Sequence, residues 1–288
     1  MAKRNLIPVH RLKESTDQGF GLEWMHADNE RVKEAMLMDA HRDDHYIFII
    51  QESGWSKMMV EFRSLTIKEH TLIFVLPGQV HDYHDSSMGA AGWFVAMDPA
   101  MVPELARTVL EDPFLEQEPQ VMTVTSFEPL VQCLRLAHML KEGCSSVYTR
   151  LSIHALLTSF SGMVAGLYAG QQTGQEAWTP RARLLTREFR QLVVQRFKTM
   201  KSPGEYAAVL HISLSYLNEV VKETTGFTVS YWIQQEIMLE AKRLLYHSQC
   251  NVKEIAYELG YEDHTYFSRM FKKLTGRTPG AFRELYRK

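Results

Sequence analysis

A sequence repeat in the last third of the chain constrains the possible fold more than any other feature. Residues 220–228 match residues 270–278 at an offset of 50 residues, with Lys, Thr, Gly and Thr identical at matched positions. Such self-similarity indicates one supersecondary unit that is used twice. Because the caps and apolar residues around each copy follow the pattern of a helix-turn-helix, we predict two of these units.

The second copy has each part of a helix-turn-helix. We expect a short helix over 252–259, a turn at Gly260, where glycine readily adopts positive φ, and a second helix over 264–275. Asp263 is placed to cap this second helix, and Gly276 is placed to end it. The i, i+4, i+7 spacing of apolar residues predicts a buried stripe formed by Phe267, Phe271 and Leu274.

The first copy begins with a capping box, Ser202-Pro203-Gly204-Glu205, with proline at the first helical position. Ser213 is placed to cap its second helix. Between the two copies, residues 233–247 follow the pattern of a long amphipathic helix. Such a helix would hold the two units about one turn of DNA apart.

Charge is distributed unequally along the chain, although the formal net charge is only −2. Residues 1–180 contain 14 Lys and Arg against 23 Asp and Glu, a balance of −9, whereas residues 181–288 contain 18 against 11, a balance of +7. This split predicts two domains with different partners, the basic one binding a nucleic acid. The sign changes at a Gln-, Gly- and Thr-rich stretch, so we predict domains over 1–170 and 181–288 joined by a linker over 171–180.

The front half predicts strands followed by helices. Short β-branched and aromatic runs separated by turns occupy about residues 1–100 and favour a sandwich or small barrel. The periodicity then becomes helical between about 126 and 170, with Ser126 as the first cap and a second helix over 147–169. This helical hairpin either packs on the barrel or forms a dimer seam. The predicted fold class is α+β in two domains, the second of them all-α.

Cysteine usage and the N-terminus favour a cytoplasmic protein. The chain has three cysteines and no CxxC motif, and its N-terminal residues lack the apolar segment of a signal peptide. Residues 151–175 contain no charged side chain, but His, Ser, Thr and Gly interrupt the stretch. We therefore expect a buried helix there rather than a membrane span, and no membrane partner.

Three short runs in the basic half carry a specific resemblance. They are Ile255–Tyr261 (IAYELGY), Tyr266–Lys273 (YFSRMFKK) and Gly276–Arg283 (GRTPGAFR). Together they closely resemble the signature of the AraC/XylS family of bacterial transcription regulators. The resemblance implies a cupin-like sensor barrel and a helical dimerisation hairpin ahead of the DNA-binding domain. It also implies promoter binding by a homodimer, usually an activator that contacts RNA polymerase.

The second helices of both units present side chains suited to a DNA major groove. Arg269 has the donors to pair bidentately with guanine. We assign phosphate contacts to Tyr216, Lys222, Lys272 and Lys273. The base-contacting positions of the family fall on Ser215, Asn218, Glu219, His264, Thr265, Ser268 and Arg269. Glu219 departs from the family pattern, which often has arginine at this position. A carboxylate there repels phosphate, although it can accept a hydrogen bond from cytosine N4.

The front half resembles the sensor domain of the family at Pro77-Gly78-Gln79-Val80-His81, which is similar to a PG-x-x-H turn, and at the His-rich element over 41–46. This suggests a barrel whose mouth holds a small ligand. Aromatic residues with His and Asp at the rim suit a sugar or another small polar organic molecule. The candidate ligand-binding residues are Trp24, His41, Tyr46, Trp55, His81, Tyr83 and Trp93.

Two alternatives to a ligand-responsive regulator stay open on the sequence. A metal-dependent cupin enzyme would draw its ligands from His41, His45, His81 and His84, with Asp43 or Asp82. The spacing does not match a cupin metal motif cleanly, and we find no nucleophile–base pair or phosphate-binding loop, so we predict no catalytic residue, metal or cofactor. The other alternative is a constitutive regulator whose barrel only dimerises.

Overall fold

The computed structural model describes residues 6–26, 39–112, 115, 117–143, 146–170 and 180–286. The chain folds into two compact units, one of residues 8–173 and one that contains residues 174–288. The linker predicted over 171–180 lies outside the described residues, except for Pro180, which begins a helix.

Ten strands are found in the described part of the first unit. They are β1 (Val9–His10), β2 (Phe20–His26), β3 (His41–Asp43), β4 (Tyr46–Ser53), β5 (Trp55–Val60), β6 (Arg63–Lys68), β7 (Thr71–Val75), β8 (Val80–Ser86), β9 (Ala91–Met97) and β10 (Gln120–Val121). They form two five-stranded sheets, ordered β1-β3-β8-β5-β6 and β10-β7-β4-β9-β2. The β1–β3 pair is parallel, and the other pairs are antiparallel.

The central strands of the second sheet are buried on both faces. Successive side chains of a strand point to opposite faces. Thus Ile47 of β4 packs with Met58 and Ile67 in a core between the sheets. The adjacent Phe48 packs edge-on against Phe160 in a core between this sheet and the helices. Burial on both faces explains why β4 and β7 are continuous apolar runs in the sequence.

The helices described in the first unit are α1 (Leu12–Ser15), α2 (Glu104–Leu110), α3 (Val124–Glu142) and α4 (Val147–Ala169). α4 has the predicted bounds, but the cap of α3 lies three residues earlier than expected. Thr123, with extended backbone at φ −70° and ψ 157°, is the N-cap residue. Ser126, the predicted cap, lies inside the first turn, where its N–H donates to the Thr123 carbonyl.

α4 is long and apolar enough to cross a membrane by length and composition alone. However, five of its large side chains are buried in the core against the second sheet: Ile153, Leu157, Phe160, Val164 and Tyr168. Packing on the sheet therefore accounts for this apolar stripe, as a buried helix requires.

The described part of the second unit is helical. Its helices are α5 (Pro180–Arg196), α6 (Pro203–Val209), α7 (Leu214–Thr225), α8 (Val229–His247), α9 (Val252–Glu258), α10 (His264–Thr275) and α11 (Pro279–Tyr286). The pairs α6–α7 and α9–α10 are the two predicted helix-turn-helix units. The connecting helix α8 begins at Val229 rather than at 233, because the Thr228 hydroxyl caps it by accepting from the Tyr231 N–H.

A single hydrophobic core holds the two helix-turn-helix units together. Ile233, Ile237 and Leu244 of α8 are buried with Phe267 and Phe271 of α10. The prediction that Leu274 completes the buried stripe of α10 was wrong, because its side chain is 37% exposed. It lies in the last turn of the helix, beyond the two phenylalanines that contact the core.

Candidate nucleic-acid interface and ligand cavity

The two helix-turn-helix units begin their helices in matched ways. α6 and α9 each carry a complete capping box, at Ser202 and at Asn251. α7 and α10 are capped by Ser213 and Asp263, which are 50 residues apart. The pKa of the Asp263 carboxyl is lowered because the backbone N–H groups of Tyr266 and the preceding residue donate to it. The repeat in the sequence is therefore a repeat of capped helices.

The turns of the two units reach the same backbone conformation with different residues. Gly260 has φ +80°, and a Cβ at this position would lie 2.0 Å from the Lys198 carbonyl oxygen. His211, at the corresponding place, has φ +54°. The second helix-turn-helix unit therefore requires glycine in its turn, whereas the first helix-turn-helix unit tolerates a side chain in the left-handed region.

A half-buried lysine joins the end of α9 to the segment that follows α5, and the sequence analysis missed it. The ammonium of Lys201 donates to the Leu259 carbonyl at 2.5 Å, to the Lys198 carbonyl at 3.1 Å and to the Phe197 carbonyl. Burial lowers the pKa of Lys201 to about 8. Its partners include Leu259, 58 residues away, and no local pattern indicates a contact of that range.

The predicted DNA-contacting residues lie on the solvent side of α7 and α10. The exposed ones are Ser215, Tyr216, Glu219 and Lys222 on α7, and His264, Thr265, Arg269, Lys272 and Lys273 on α10. Asn218 and Ser268, at matched positions, are half-buried. Each helix buries the opposite side against the common core, so each presents one polar face to solvent.

Asn218 and Ser268 bond in the same way to their own helices. The Asn218 amide donates to the Leu214 carbonyl at 3.1 Å, and the Ser268 hydroxyl donates to the His264 carbonyl at 2.8 Å. Each acceptor is the first residue of its helix. Ser268 can donate its one hydroxyl proton to a base only by giving up this bond, whereas Asn218 keeps a second N–H and its amide oxygen for a base contact.

The charge of the two faces differs at matched positions. The matched pairs are Glu219 and Arg269, Glu223 and Lys273, and Lys222 and Lys272. All six side chains are exposed. The face of α10 is therefore uniformly cationic at these positions, whereas the face of α7 carries two carboxylates and one ammonium.

A cavity of about 750 Å³ lies between the two sheets of the first unit. Four of the seven predicted ligand-binding residues belong to its lining: His41, His81, Tyr83 and Trp93. Apolar residues such as Ile47 and Met58 form part of the wall, and Gln51 and Ser56 add polar groups. The Ser56 hydroxyl donates to the Gln51 amide oxygen at 2.8 Å, which fixes the position of both groups.

Trp93 borders the cavity, but its indole ring belongs to the core beneath the helices. The indole N–H donates to Glu52 at 2.6 Å, and the ring packs edge-on against His138 of α3. The side chain of the neighbouring Phe94 points to the opposite face, because side chains alternate along β9.

The structure places the other three predicted ligand residues outside the lining of this cavity. Tyr46 is buried in the core between sheet and helices, where its hydroxyl donates to Glu111. Trp24 is 43% exposed. Trp55 lies under the ammonium of Lys57, 5.1 Å from the ring centre. These assignments were wrong for this cavity because composition does not indicate which face of a strand a residue occupies.

Three histidines and one aspartate meet on the neighbouring strands β1, β3 and β8. The parallel β1–β3 pair places His10 opposite Asp43, and the antiparallel β3–β8 pair places His41 opposite His81. Since His41 and Asp43 are two residues apart, all four side chains share one face of the sheet. All four also line the cavity.

The distances within this histidine–aspartate cluster are short. His81 Nε2 lies 3.1 Å from Asp43 Oδ2, and His10 Nδ1 lies 3.9 Å from Asp43 Oδ1. Burial lowers the pKa of His41, and the neighbouring His81 lowers it further. Burial acts to raise the pKa of Asp43, but the hydrogen bond and the charge of His81 outweigh it and hold this pKa below its usual value. The cluster therefore favours a neutral His41 beside an ionised Asp43.

Two other histidines of the candidate metal set lie in separate pairs. His45 Nδ1 is 3.1 Å from Asp44 Oδ1, and His84 Nε2 is 2.8 Å from Asp82 Oδ1 on the more exposed part of β8. The sequence analysis did not include His10, because only the pairing of β1 with β3 brings it to this place.

Two family models match this chain. A model described as an AraC-like ligand binding domain matches residues 30–160, and a model described as a helix-turn-helix domain matches residues 206–285. The first match covers most of the two sheets and much of α3–α4, and the second match covers α7 and α10. Together the two matches account for most of the chain.

Similar proteins include regulators of several bacteria. An uncharacterised HTH-type transcriptional regulator, YfiF of Bacillus subtilis, is 24% identical over 97% of this chain and 88% of its own length. The HTH-type transcriptional activator RhaR of Escherichia coli K12 is 31% identical over 33% of this chain and 34% of its own length, so this match spans about a third of RhaR. Among solved structures, the C-terminal domain of AraT, a response regulator from Geobacillus stearothermophilus, is 27% identical, with a TM-score of 0.34 over 38% of this chain and 88% of that one.

The resemblance read from the sequence and the α+β fold class are thereby confirmed. A ligand-binding domain with a sheet-enclosed cavity is followed by a helical domain with two capped helix-turn-helix units. The chain belongs to the AraC family of helix-turn-helix transcriptional regulators.

Proposed function

We propose that this regulator binds promoter DNA as a homodimer, that it activates transcription, and that a small molecule in the N-terminal cavity modulates it. The observation that carries the proposal is the pair of matched reading helices with polar, exposed faces. These faces lie in the half of the chain whose charge balance is +7. We further propose that the regulator is cytoplasmic and has no catalytic activity, in agreement with this family.

DNA reading is assigned mainly to α10. An α-helix fits the major groove, and the exposed Arg269 has the donors for O6 and N7 of guanine. His264, Thr265 and Ser268 supply shorter contacts to neighbouring base edges. Lys272 and Lys273 neutralise phosphates, which adds affinity without sequence information.

α7 contributes less to base reading in this proposal. Ser215 and Asn218 can contact bases, and Tyr216 and Lys222 can contact phosphates. Glu219 accepts only from a donor such as cytosine N4, and its charge repels the backbone. The first helix-turn-helix unit therefore mainly positions the protein on the DNA.

The effector proposed for the cavity is a sugar or another small polar organic molecule. The lining combines apolar walls with fixed polar groups such as Gln51, Ser56 and Tyr83. This combination is typical of sites that orient a small ligand by a few hydrogen bonds. A volume of about 750 Å³ is within the usual range for such ligands.

The helical hairpin offers the surface for the proposed homodimer. Exposed apolar side chains follow each helix, Leu136 and Met139 on α3 and Tyr148 and Leu151 on α4. Contiguous exposed apolar surface is characteristic of protein interfaces. We therefore expect Met139→Glu combined with Leu151→Glu to give monomers in analytical ultracentrifugation, whereas a dimer unchanged by both charges would contradict this surface.

The proposal is tested on the full chain with DNA selected from a random-sequence pool. We expect a recovered consensus, a steep salt dependence of affinity, and a shift in affinity on adding one of a panel of sugars, acids and aromatics. Transcription in vitro with purified RNA polymerase then tests activation. Recovery of no consensus would contradict the function, and an affinity that no compound shifts would favour the constitutive regulator.

A further inference from the structure

The histidine–aspartate cluster of His10, His41, Asp43 and His81 has no role in the DNA-binding account. Donor atoms of His10, His41 and Asp43 all lie within 4.8 Å of one another. The fourth member, His81, is 3.1 Å from the Asp43 carboxylate through Nε2. Its ring centre is 4.5 Å from that of His41. Four potential ligands therefore converge on one region of the cavity wall.

The outer nitrogens of two of these histidines face backbone carbonyls. His41 Nδ1 lies 3.0 Å from the Asp39 carbonyl oxygen, and His81 Nδ1 lies 3.3 Å from the Gln79 carbonyl oxygen. A carbonyl accepts only from a protonated Nδ1, and in that tautomer of the neutral ring Nε2 has the free lone pair that a metal ion needs. The same pattern of a ring N–H held by a backbone carbonyl orients histidines that bind metals in other proteins.

More than one histidine lies beside the Asp43 carboxylate. His81 Nε2 is 3.1 Å from Asp43 Oδ2, and His10 Nδ1 is 3.9 Å from Asp43 Oδ1. The ring of His41 stacks on that of His10, with 4.3 Å between the ring centres. A hydrogen bond to Asp43 needs only one of these three histidines, so the half-exposed imidazoles of His10 and His41 beside the same carboxylate favour a shared metal ion.

We propose that His10, His41, His81 and Asp43 bind one divalent first-row transition-metal ion, such as Zn²⁺, in the wall of the ligand cavity. Imidazoles with one carboxylate suit such ions, whereas Mg²⁺ and Ca²⁺ prefer oxygen ligands. Zinc bonds of 2.0–2.2 Å need ligand atoms about 3.3 Å apart in a tetrahedron. The donor atoms of His10, His41 and Asp43 lie within 4.8 Å of one another, so metal binding would draw them closer together.

A bound ion would change two properties of the first unit. It would cross-link β1, the edge strand of its sheet, to β3 and β8. It would also place a Lewis acid where a ligand oxygen in the cavity can reach it. The proposal does not depend on the DNA-binding function, since its test reads metal binding directly.

The test is a titration of the full chain, stripped with a chelator, with Zn²⁺ in competition with a chromophoric chelator. We expect one tightly bound ion per chain in the wild type. His10→Gln and Asp43→Asn should each weaken binding by about tenfold or more, since even partners that only orient ligands contribute 10–100-fold. His84→Gln is the matched control, because His84 also pairs with an aspartate on β8 but lies outside the cluster, and its affinity should equal that of the wild type.

Co²⁺ provides a second, spectroscopic measurement. Visible absorption bands of a low-symmetry nitrogen–oxygen site should appear in the wild type and in His84→Gln, and should be lost in His10→Gln. His10 lies half-exposed on a two-residue edge strand, so this variant is expected to keep the native circular dichroism spectrum. Absence of stoichiometric binding in the wild type, or equal loss in His84→Gln and His10→Gln, would overturn the proposal and leave a His81–Asp43 ion pair.

Discussion

The two helix-turn-helix units have nearly the same scaffold but different surfaces. α7 and α10 both have 12 residues, both begin at a capping side chain, and both end at a glycine with φ near +75°. Across these matched helices, Glu219 is replaced by Arg269 and Glu223 by Lys273. Caps and buried residues therefore specify the fold of each unit, while the exposed positions are free to specify what each unit contacts.

The largest expected effect concerns the turns. Gly260→Ala places a Cβ 2.0 Å from the Lys198 carbonyl at a backbone conformation that alanine disfavours. We expect a loss of about 3 kcal/mol or more in the free energy of unfolding, together with loss of DNA binding. The matched change His211→Gly relieves a positive φ and should alter stability by no more than about 1 kcal/mol. Urea denaturation followed by circular dichroism measures both, and equal losses would show that the turns are not different.

The next effect concerns base reading. Arg269→Ala should cost about 1–3 kcal/mol of affinity for the selected DNA and relax the preference at one base pair. We expect the matched change Glu219→Ala to maintain or raise affinity, because it removes a carboxylate from a surface near phosphate. Fluorescence anisotropy with single-base variants of the DNA tests both. A uniform loss on all sequences for Arg269→Ala would contradict a base contact.

The smallest expected effect concerns the side chains that cap α7 and α10. Ser213→Ala removes the side chain that accepts from the Tyr216 N–H, and should reduce stability by about 1 kcal/mol. Asp263→Ala removes the corresponding cap of α10 and should also destabilise, so thermal unfolding should show two losses of the same sign. A change in only one of them would mean that the two caps are not equivalent.

The helices of the second helix-turn-helix unit could be predicted from sequence in detail because the residues that determine them are close together in the chain. The bounds of α10, the cap at Asp263 and the glycine at its end depend on residues within one or two turns of each other. The exposure of Leu274 could not be predicted in this way. It depends on where α10 leaves the core, which the packing of α8 decides.

The ligand cavity was predictable only in part because its determinants are distant in sequence. Tyr46 and Trp93 were chosen as aromatic residues near a barrel mouth, but strand register turns both rings toward the helices. His10 was missed for the same reason, since its position beside Asp43 follows from a parallel strand pair more than 30 residues apart.

The claim that the exposed polar faces of α7 and α10 meet DNA has one most direct test. The slope of log affinity against log salt measures how many phosphates the full chain neutralises, at about 0.9 per phosphate. We predict that the combined change Lys222→Ala, Lys272→Ala and Lys273→Ala lowers the slope of the full chain by about 2.7 without unfolding it. A slope equal to that of the wild type would contradict the account.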